Sequence, residues 1–589
     1  MCDMLQDSQE LSEYLGISGG VWKVSDVPYR DVVAIMQKME INEMVARVLA
    51  IREIPIEDIR DFLYPTLKLL MPDPFHFLDM DKAVDRIVSA VVSGESIVVF
   101  GDYDVDGATS SAMLKKYFCS IGVETKIYIP HRIEEGYGPN TSALVSLKNE
   151  GYGLCITVDC GTSAHIPILA AKSEGLDVIV LDHHLGGTTL PEAVAVVNPN
   201  RLDETSSYTY LSGVGMSFML LVALHKTLRA SGFFSTRKEP DLMQYLDLVA
   251  LGTICDVMPM IKLNRAFVKH GLKIMASRSN LGLKVLTDAL NICDKPSVYH
   301  MGFCIGPHIN AGGRIGNSGL GAQLLSSDSE VECNNIVSKL LSLNTERRRI
   351  EDIGMEEARA QAESLVAQGN KIIMVVGNWH PGIIGIMAGR LKEMFSLPTI
   401  VVSWDSHICK ASARSITGID IGAAVLSAKL ENLIPEGGGH KMAAGFSVYP
   451  DNMEKVYDFF LQRFADADTR KITYACGILS VAAISNTLCK ELMLLEPFGP
   501  GNAEPKFILK NVLIRNSSIV GKDHVRCWIE NDGSSVRGIC FRCIGTDLGL
   551  YLMQYKKPIS LLGTVGINQW QGNEYVQFII DDASISNAW

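Results

Sequence analysis

The chain has 589 residues, 47% of them hydrophobic, and a formal net charge of −12. That length exceeds what one core can organise and predicts three to four domains, while the apolar fraction excludes an intrinsically disordered chain. The acidic balance excludes nonspecific coating of nucleic acid but leaves room for a local basic groove. Residues 1–65 hold 12 Asp/Glu against 6 Lys/Arg, so half of the excess charge lies at the N-terminus. Asp3, Asp7, Glu10 and Glu13 interrupt any signal-peptide pattern, and the longest apolar stretch, Val214 to Leu224, is too short for a membrane span. Fourteen cysteines are scattered, and Cys540-Phe541-Arg542-Cys543 is a CxxC without a second pair, which argues against a zinc ribbon. Reduced thiols in a cytoplasmic protein are the economical reading.

Residues 1–80 carry helical patterning that Pro65, Pro72 and Pro74 break, and read as a helical N-terminal extension. From 81 to 260, apolar runs near 97–100, 126–129, 154–158, 178–181 and 194–197 alternate with helical segments at 107–121, 140–149, 163–174 and 213–230. This rhythm predicts an α/β domain with a parallel, doubly wound sheet. The polar stretches 201–212 and 231–240 read as surface insertions. Residues 261–368 form a helical connector whose last part, 331–368, predicts one long helix. A second, smaller α/β domain spans 369–470, opening on the run Lys371 to Val376. Residues 471–589 switch to short β-type runs: Lys506 to Leu509, Val525 to Ile529, Ser535 to Phe541, Ile559 to Val565 and Tyr575 to Ile580. Turns such as Asn531-Asp532-Gly533 and Gln571-Gly572-Asn573 separate them, predicting a small β-barrel with the OB-like form among the candidates. No internal repeat is visible.

Three apolar runs end in acidic clusters: Phe100 into Asp102-Tyr103-Asp104-Val105-Asp106-Gly107, Val158 into Asp159-Cys160-Gly161, and Leu181 into Asp182-His183-His184. A fourth carboxylate, Asp256, follows the stretch Leu246 to Cys255. Open α/β sheets gather their chemistry at such strand ends. Singly, each motif is more often structural, and Asp102 or Asp182 can simply cap a following helix. Together, Asp104, Asp106, Asp159, His183 and Asp256 supply hard oxygen and imidazole donors for one or two Mg²⁺ or Mn²⁺ ions. Two ions about 3.5–4 Å apart would suit phosphoester hydrolysis. Zinc is disfavoured because no cysteine accompanies the carboxylates. His184, beside a ligand, suits phosphoryl binding or proton transfer. An EF-hand fails for want of the terminal glutamate, and a dinucleotide site for want of GxGxxG.

The second α/β unit contains Ser412-Ala413-Arg414-Ser415 and Gly437-Gly438-Gly439-His440, which can meet an anion, although glycine runs are usually turns. Gly306-Pro307-His308-Ile309-Asn310-Ala311-Gly312-Gly313-Arg314 is another candidate anion patch. Arg347-Arg348-Arg349 lies on the long helix; a solvated face accounts for Arg349, and Arg348 stays open.

Taken together, Asp102 to Gly107, Asp159-Cys160-Gly161, Asp182-His183-His184 and Asp256 in Ala250 to Val257 resemble the successive motifs of the DHH phosphoesterase superfamily. Gly438 to Gly445 resembles its second domain, DHHA1. Three further segments point to the superfamily's single-strand-specific 5′→3′ DNA exonucleases: His131-Arg132 with Glu135-Gly136-Tyr137-Gly138, Trp379 to Ile386, and Pro497-Phe498-Gly499-Pro500-Gly501-Asn502 ahead of a β-rich tail. The resemblance covers about 80 to 589. It implies Mn²⁺ or Mg²⁺, two per site, on Asp104, Asp106, Asp159, His183 and Asp256, with His184 catalytic and Asp102 and Asp182 supporting. It implies that Arg132, Asn310, Arg314, Ser412, Arg414, Gly439 and His440 hold the 5′ end or backbone phosphates. It also implies a role in recombination and repair on single-stranded DNA, alongside a helicase and a single-stranded-DNA-binding protein, with no membrane and as a monomer.

The chain departs from the family at His308, where arginine is usual, and at Gly312, where alanine is usual. The first removes a positive charge from the phosphate site. Phe100 stands where related small pyrophosphatases carry a metal-binding histidine, which predicts one more weakly held metal. Trp528, Phe541 and Trp570 offer base stacking, but barrel core is the preferred reading of each. Two rival functions stand: a phosphodiesterase for short oligoribonucleotides or cyclic dinucleotides, which the long β-rich tail argues against, and a noncatalytic DNA-binding scaffold, which the complete acidic set argues against.

Overall fold

A computed structural model of the chain describes residues 13–132, 134–554, 556–570 and 573–585, and their strands form four sheets. The N-terminal extension is not purely helical. β1 (Tyr14–Leu15) and β2 (Val21–Val24) pair antiparallel, and β2 also runs parallel to residues 472–475 near the opposite end of the chain. The Val-Trp-Lys-Val alternation buries Trp22, whose indole N–H donates to Asp582 Oδ2 at 3.1 Å. Helices Tyr29–Met39, Glu43–Ile51 and Ile59–Leu63 then bury Val32, Ile35, Leu49 and Leu63 in one core with Phe507, Leu561 and Phe578 of the C-terminal barrel. The two ends of the chain thus form one body.

The next sheet contains β3 (Ile97–Gly101), β4 (Thr125–Tyr128), β5 (Leu154–Val158), β6 (Asp177–Leu181) and β7 (Ala195–Val197), all parallel in the order β4-β3-β5-β6-β7. β3 and β5 are buried along their whole length, as expected of central strands covered on both faces. Alternate residues serve the two faces. Ile97, Val99, Leu154 and Ile156 meet the helices Val105–Ser120 and Gly213–Ala230, whereas Val98, Phe100, Cys155 and Val178 meet Thr141–Asn149 and His165–Ser173. This doubly wound arrangement is the one the alternating pattern predicts. Of the two expected surface insertions, 231–240 stays outside. The other lies outside over 202–209 and turns inward only at its ends, where Tyr210, Leu211 and Ser212 are buried and Arg201 donates to Asp79 and Asp203.

The first half of the connector is no linker. Helices Lys262–Ala276, Leu281–Ala289 and Leu320–Ser326 pack into the same core as the parallel sheet. Gly306–Ile315, the glycine-rich candidate anion patch, is a helix. Its glycines serve close approach: a Cβ on Gly313 would lie 2.7 Å from the carbonyl oxygen of Tyr103. The expected long helix runs Glu330–Ala367, with Ser329 capping it through the Glu332 amide.

The second α/β unit holds β8 (Ile373–Gly377), β9 (Thr399–Ser403), β10 (Cys409–Arg414), β11 (Glu436–His440) and β12 (Ala443–Val448) in the order β11-β12-β10-β9-β8, with only β8 and β9 parallel. Beyond β13 (Ile472–Ala475) and β14 (Gly477–Leu479), five strands close a barrel: β15 (Phe507–Val520), β16 (His524–Asn531), β17 (Ser534–Cys540), β18 (Ile559–Trp570) and β19 (Asn573–Ser584). Closure comes from the antiparallel β15–β18 pairing. The β16–β17 turn needs left-handed backbone at Asp532 and Gly533, which the Asn-Asp-Gly sequence supplies. The core reading fails for two aromatics, since Trp528 and Phe541 face outward; the side chain of Trp570 and the turn residues 571–572 lie outside the described residues. No helix among the described residues is long and apolar enough to cross a membrane.

Candidate active site

Four chain segments deliver the acidic residues to one point at the C-terminal edge of the parallel sheet. After β3, Asp104 caps the helix Val105–Ser120, accepting the amides of Asp106 at 2.9 Å and Gly107 at 3.1 Å. Asp106 accepts the amides of Gly213 at 2.6 Å and Val214 at 2.9 Å, at the start of the helix Gly213–Ala230. After β5, Asp159 takes a left-handed backbone with φ of 61°, a strained choice for a non-glycine residue. Asp256 follows directly on the helix Leu246–Cys255. Two glycines make the convergence possible. A Cβ on Gly213 would sit 2.7 Å from Asp159 Cβ, and one on Gly252 would sit 2.7 Å from Asp106 Oδ1.

His183 Nε2 lies 3.1 Å from Asp159 Oδ1, 3.5 Å from Asp256 Oδ2 and 3.9 Å from Asp106 Oδ2. Asp102, Asp104 and Asp159 form a second group whose ligand atoms lie within 4.8 Å of one another. Asp159 belongs to both sets. Burial, then the neighbouring carboxylates, pushes Asp106 up to about 7 and raises Asp102, Asp159 and Asp256 well above the usual carboxylate range. Asp102 Oδ1 and Asp256 Oδ2 are buried without a hydrogen-bond partner. Clustered carboxylates with unsatisfied buried oxygens, beside an imidazole lone pair, are what a hard divalent cation relieves. The donors fit Mn²⁺ or Mg²⁺.

Asp102 also faces this centre with one oxygen unpartnered, while the helix Val105–Ser120 is capped by Asp104. Phe100 is fully buried and stacked on Tyr128 at 5.1 Å, on the sheet face away from the carboxylates, so it supplies nothing to the centre.

Asp182 is the organiser. It accepts the amides of Thr162 at 3.0 Å, His183 at 2.8 Å and His184 at 3.1 Å, and the Nδ1–H of His184 at 2.8 Å. Burial opposes its charge, but His184 holds its carboxyl far below the ordinary range. The two imidazoles part company. Burial, then the charge of His184, lowers His183 to about 4, leaving it neutral as a ligand should be. Against burial, the hydrogen bond to Asp182 lifts His184 to about 9.

Next to this centre lie three guanidinium groups. Arg132 lies over the Tyr103 ring at 4.8 Å, Arg314 Nη1 donates to the Gly382 carbonyl at 2.8 Å, and Arg414 Nη1 donates to Ser412 Oγ at 3.2 Å and the Ala413 carbonyl at 2.9 Å. None of the three is ion-paired to a carboxylate among the described residues. Burial, reinforced by Arg132, Arg347 and Arg414, brings Arg314 down to about 10. Unpaired, mutually repelling cations of this kind call for an anion. Asn310 sits one turn before Arg314 on the same helix. His440, at the exposed end of β11, is near enough to His183 for its charge to act there. Gly439 is required by packing, since a Cβ would lie 2.4 Å from the Ala443 carbonyl oxygen.

His308 joins a buried polar chain in place of a charge. His308 Nδ1 donates to the Cys304 carbonyl at 2.6 Å, and its Nε2 accepts from Asn344 at 2.9 Å, so the ring is neutral. Asn344 Oδ1 accepts from Arg347 Nε at 3.0 Å, and Arg347 Nη1 donates to Glu351 at 2.7 Å. Arg347 is only 7% exposed and does not belong to a solvated face. Arg349 does, paired to Glu346.

Tyr137 escaped the sequence reading as a site residue. Its hydroxyl donates to the Asp159 carbonyl at 3.2 Å and lies 3.3 Å from His184 Nδ1. The left-handed glycines Gly136 and Gly138 on either side were its visible signal.

Residues 96–253 match the family model for the DHH family, N-terminal domain, residues 368–466 that for the DHHA1 domain, and residues 477–582 that for the RecJ OB domain. The chain is 32% identical over 581 residues to the single-stranded-DNA-specific exonuclease RecJ of Bacillus subtilis, covering 96% of this chain and 71% of that one. It is 35% identical over 530 residues to the same-named protein of Salmonella typhimurium, covering 85% and 90% respectively. Among solved structures it is similar to RecJ in complex with Mn²⁺ from Thermus thermophilus, with a TM-score of 0.81, 28% identity, and coverage of 96% of this chain and 80% of that one.

Proposed function

The chain belongs to the RecJ family of single-stranded-DNA-specific exonucleases, and we infer from that membership and from its site that it hydrolyses single-stranded DNA from the 5′ end, releasing 5′ mononucleotides in recombination and repair. The observation that carries the polarity is the placement of three unpaired guanidiniums, Arg132, Arg314 and Arg414, beside the carboxylate cluster.

In this reading a 5′-terminal phosphate is held by those arginines, with Ser412, Asn310, Gly439 and His440 completing the pocket. The next phosphodiester then lies at the carboxylate centre. Asp102, Asp104, Asp106, Asp159, His183 and Asp256 would hold two Mn²⁺ or Mg²⁺ ions, which when bound lower the pKa of a water and neutralise charge on the phosphoryl oxygens. Water oxygen bonds to phosphorus, the P–O3′ bond breaks, and O3′ leaves with a proton. His184, charged near neutral pH, is placed to stabilise or protonate that oxygen, while Asp182 and Tyr137 fix its ring. The shortened strand keeps a new 5′-phosphate, which can enter the same pocket.

The substrate enters between the parallel-sheet unit and the edge strand β11 of the second unit. A single strand suits that approach, and the outward Trp528, which shares the Arg537 guanidinium with Tyr575 on the barrel, suits further contact with bases. A helicase and a single-stranded-DNA-binding protein are the partners that would supply such a strand. The centre is built within one chain, which favours action as a monomer, and thirteen free cysteines among the described residues favour a reducing cytoplasm. No observation favours the rival phosphodiesterase, whose substrates need no barrel.

Digestion of single strands labelled at either end tests this reading. A 5′ label should appear at once as mononucleotide, and a 3′ label only in progressively shorter strands. Immediate release of the 3′ label would reverse the polarity and refute it.

A further inference from the structure

Outside the centre just described, the segment Ser297 to Gly306 carries an unusual surface. Residues His300–Ile305 are wound as a π-helical turn, a rare form often found at functional sites. Its inner side is core, with Met301 and Ile305 fully buried. Its outer side presents Tyr299 and Phe303, 63% and 70% exposed, stacked on one another with ring centroids 5.4 Å apart and planes 22° apart. Two large rings left in water on one short turn are a costly arrangement for a soluble surface.

The turn is joined to the metal centre. Cys255, the residue before Asp256, donates from Sγ to the Met301 carbonyl at 3.6 Å. A Cβ on Gly302 would touch Ile254 at 3.4 Å, and one on Gly306 would press on Cys255 Sγ at 2.5 Å, so both glycines let the turn lie against the helix that ends at Asp256. Val257, next after Asp256, is 65% exposed. Arg348, on the long helix, is exposed and makes no ion pair among the described residues, and it lies close enough for its charge to act on Cys304 and His308.

We propose that Tyr299, Phe303 and Arg348 form a stacking track for the single strand, the rings taking bases downstream of the scissile phosphate and Arg348 taking the backbone between them. The proposal rests on the exonuclease reading and adds a specificity to it: the track selects long single strands over dinucleotides. Every base offers a π-face, so the contact is indifferent to sequence, and it is available only to a strand that extends beyond the two nucleotides at the centre. The alternative occupant, a second copy of the chain, would cover the same rings without affecting catalysis on any substrate.

The test uses the full-length Mn²⁺-loaded enzyme with a long 5′-phosphorylated single strand and a 5′-phosphorylated dinucleotide. For the Tyr299→Ala/Phe303→Ala double variant, KM for the long strand should rise by about ten-fold or more while kcat and dinucleotide turnover stay at the wild-type level. Phe303→Trp should keep the wild-type KM, and Arg348→Gln should raise KM for the long strand alone. A 2-aminopurine three nucleotides from the 5′ end should be quenched by the wild type and not by the double variant. Unchanged KM in the double variant overturns the proposal, as does an equal loss on both substrates or a Phe303→Trp enzyme as impaired as the alanine variant. A wild type that cleaves neither substrate would overturn the exonuclease reading itself, a result distinct from the others.

Discussion

The side chains of His183 and Asp159 meet at 3.1 Å although they come from different strand ends, and the imidazole that faces the carboxylate is neutral. In its Nε2–H tautomer the ring donates to that carboxylate, and in the other tautomer Nε2 offers a lone pair beside it for a shared cation. Asp256 and Asp106 also face Nε2, so the centre gathers carboxylates around one imidazole without a lysine or arginine pairing them among the described residues.

Asp182 sets this geometry without entering it. Asp182→Asn keeps one acceptor but loses the charge that fixes His184, and it should cost about 10–100-fold in Mn²⁺ affinity or in turnover. Calorimetric titration with Mn²⁺ and steady-state rates check this. Wild-type values for both would mean that Asp182 is only a turn-former.

The arginine pocket should read the 5′ end. Wild-type enzyme should prefer 5′-phosphorylated strands over 5′-hydroxyl ones, and Arg414→Gln should abolish that preference while leaving activity on 5′-hydroxyl strands near wild type. The expected loss on phosphorylated strands is about ten-fold or more, the scale of a buried charge-assisted bond. Competition kinetics with the two strands gives the ratio.

Asp247 offers a stability test away from the site. Burial pushes its carboxyl up to about 7, and Oδ2 has no hydrogen-bond partner. A carboxyl raised in the folded state favours folding below its unfolded value near 3.8, and that contribution is lost as pH climbs to 7. Asp247→Asn should therefore be more stable than wild type at pH 8, by at most about 4 kcal/mol, with the gap closing as pH falls toward 5. Thermal unfolding across that range measures it.

Arg265 ties three regions together. It is buried, lies over the Phe62 ring at 3.8 Å, and donates to the carbonyls of Phe62, Leu495, Glu496 and Pro497. Arg265→Met should destabilise by about 2–4 kcal/mol, because four carbonyls lose a charged donor. It should also speed proteolysis between the connector and the barrel.

The parallel sheet was legible because apolar runs such as β3 and β5 alternate with helical segments, and the long helix because 331–368 is a proline-free run of helical spacing. The strand-end carboxylates were legible because a strand end fixes where its next residue goes. What escaped depended on long-range contact. The burial of Arg347 was not legible because only the fold brings Glu351 and Asn344 around it. The site contacts of Tyr137 were not legible because Asp159 and His184 reach it from other strands. Gly306–Ile315 keeps Asn310 and Arg314 on one helix, but its helical form was hidden because its glycines, which serve close packing against Cys255, Asn317 and Tyr103, have the spacing of a turn. Pairing of the N-terminal strands with a segment some 450 residues away leaves no local trace at all.

Asp159 belongs to both halves of the carboxylate cluster. Release of mononucleotide from a 5′-labelled single strand in Mn²⁺, compared between wild type and a folded Asp159→Ala variant, tests the assignment of that centre most directly. A drop of about a thousand-fold or more is predicted, since both metal positions lose a ligand. Equal rates in the two proteins would contradict the assignment of the centre.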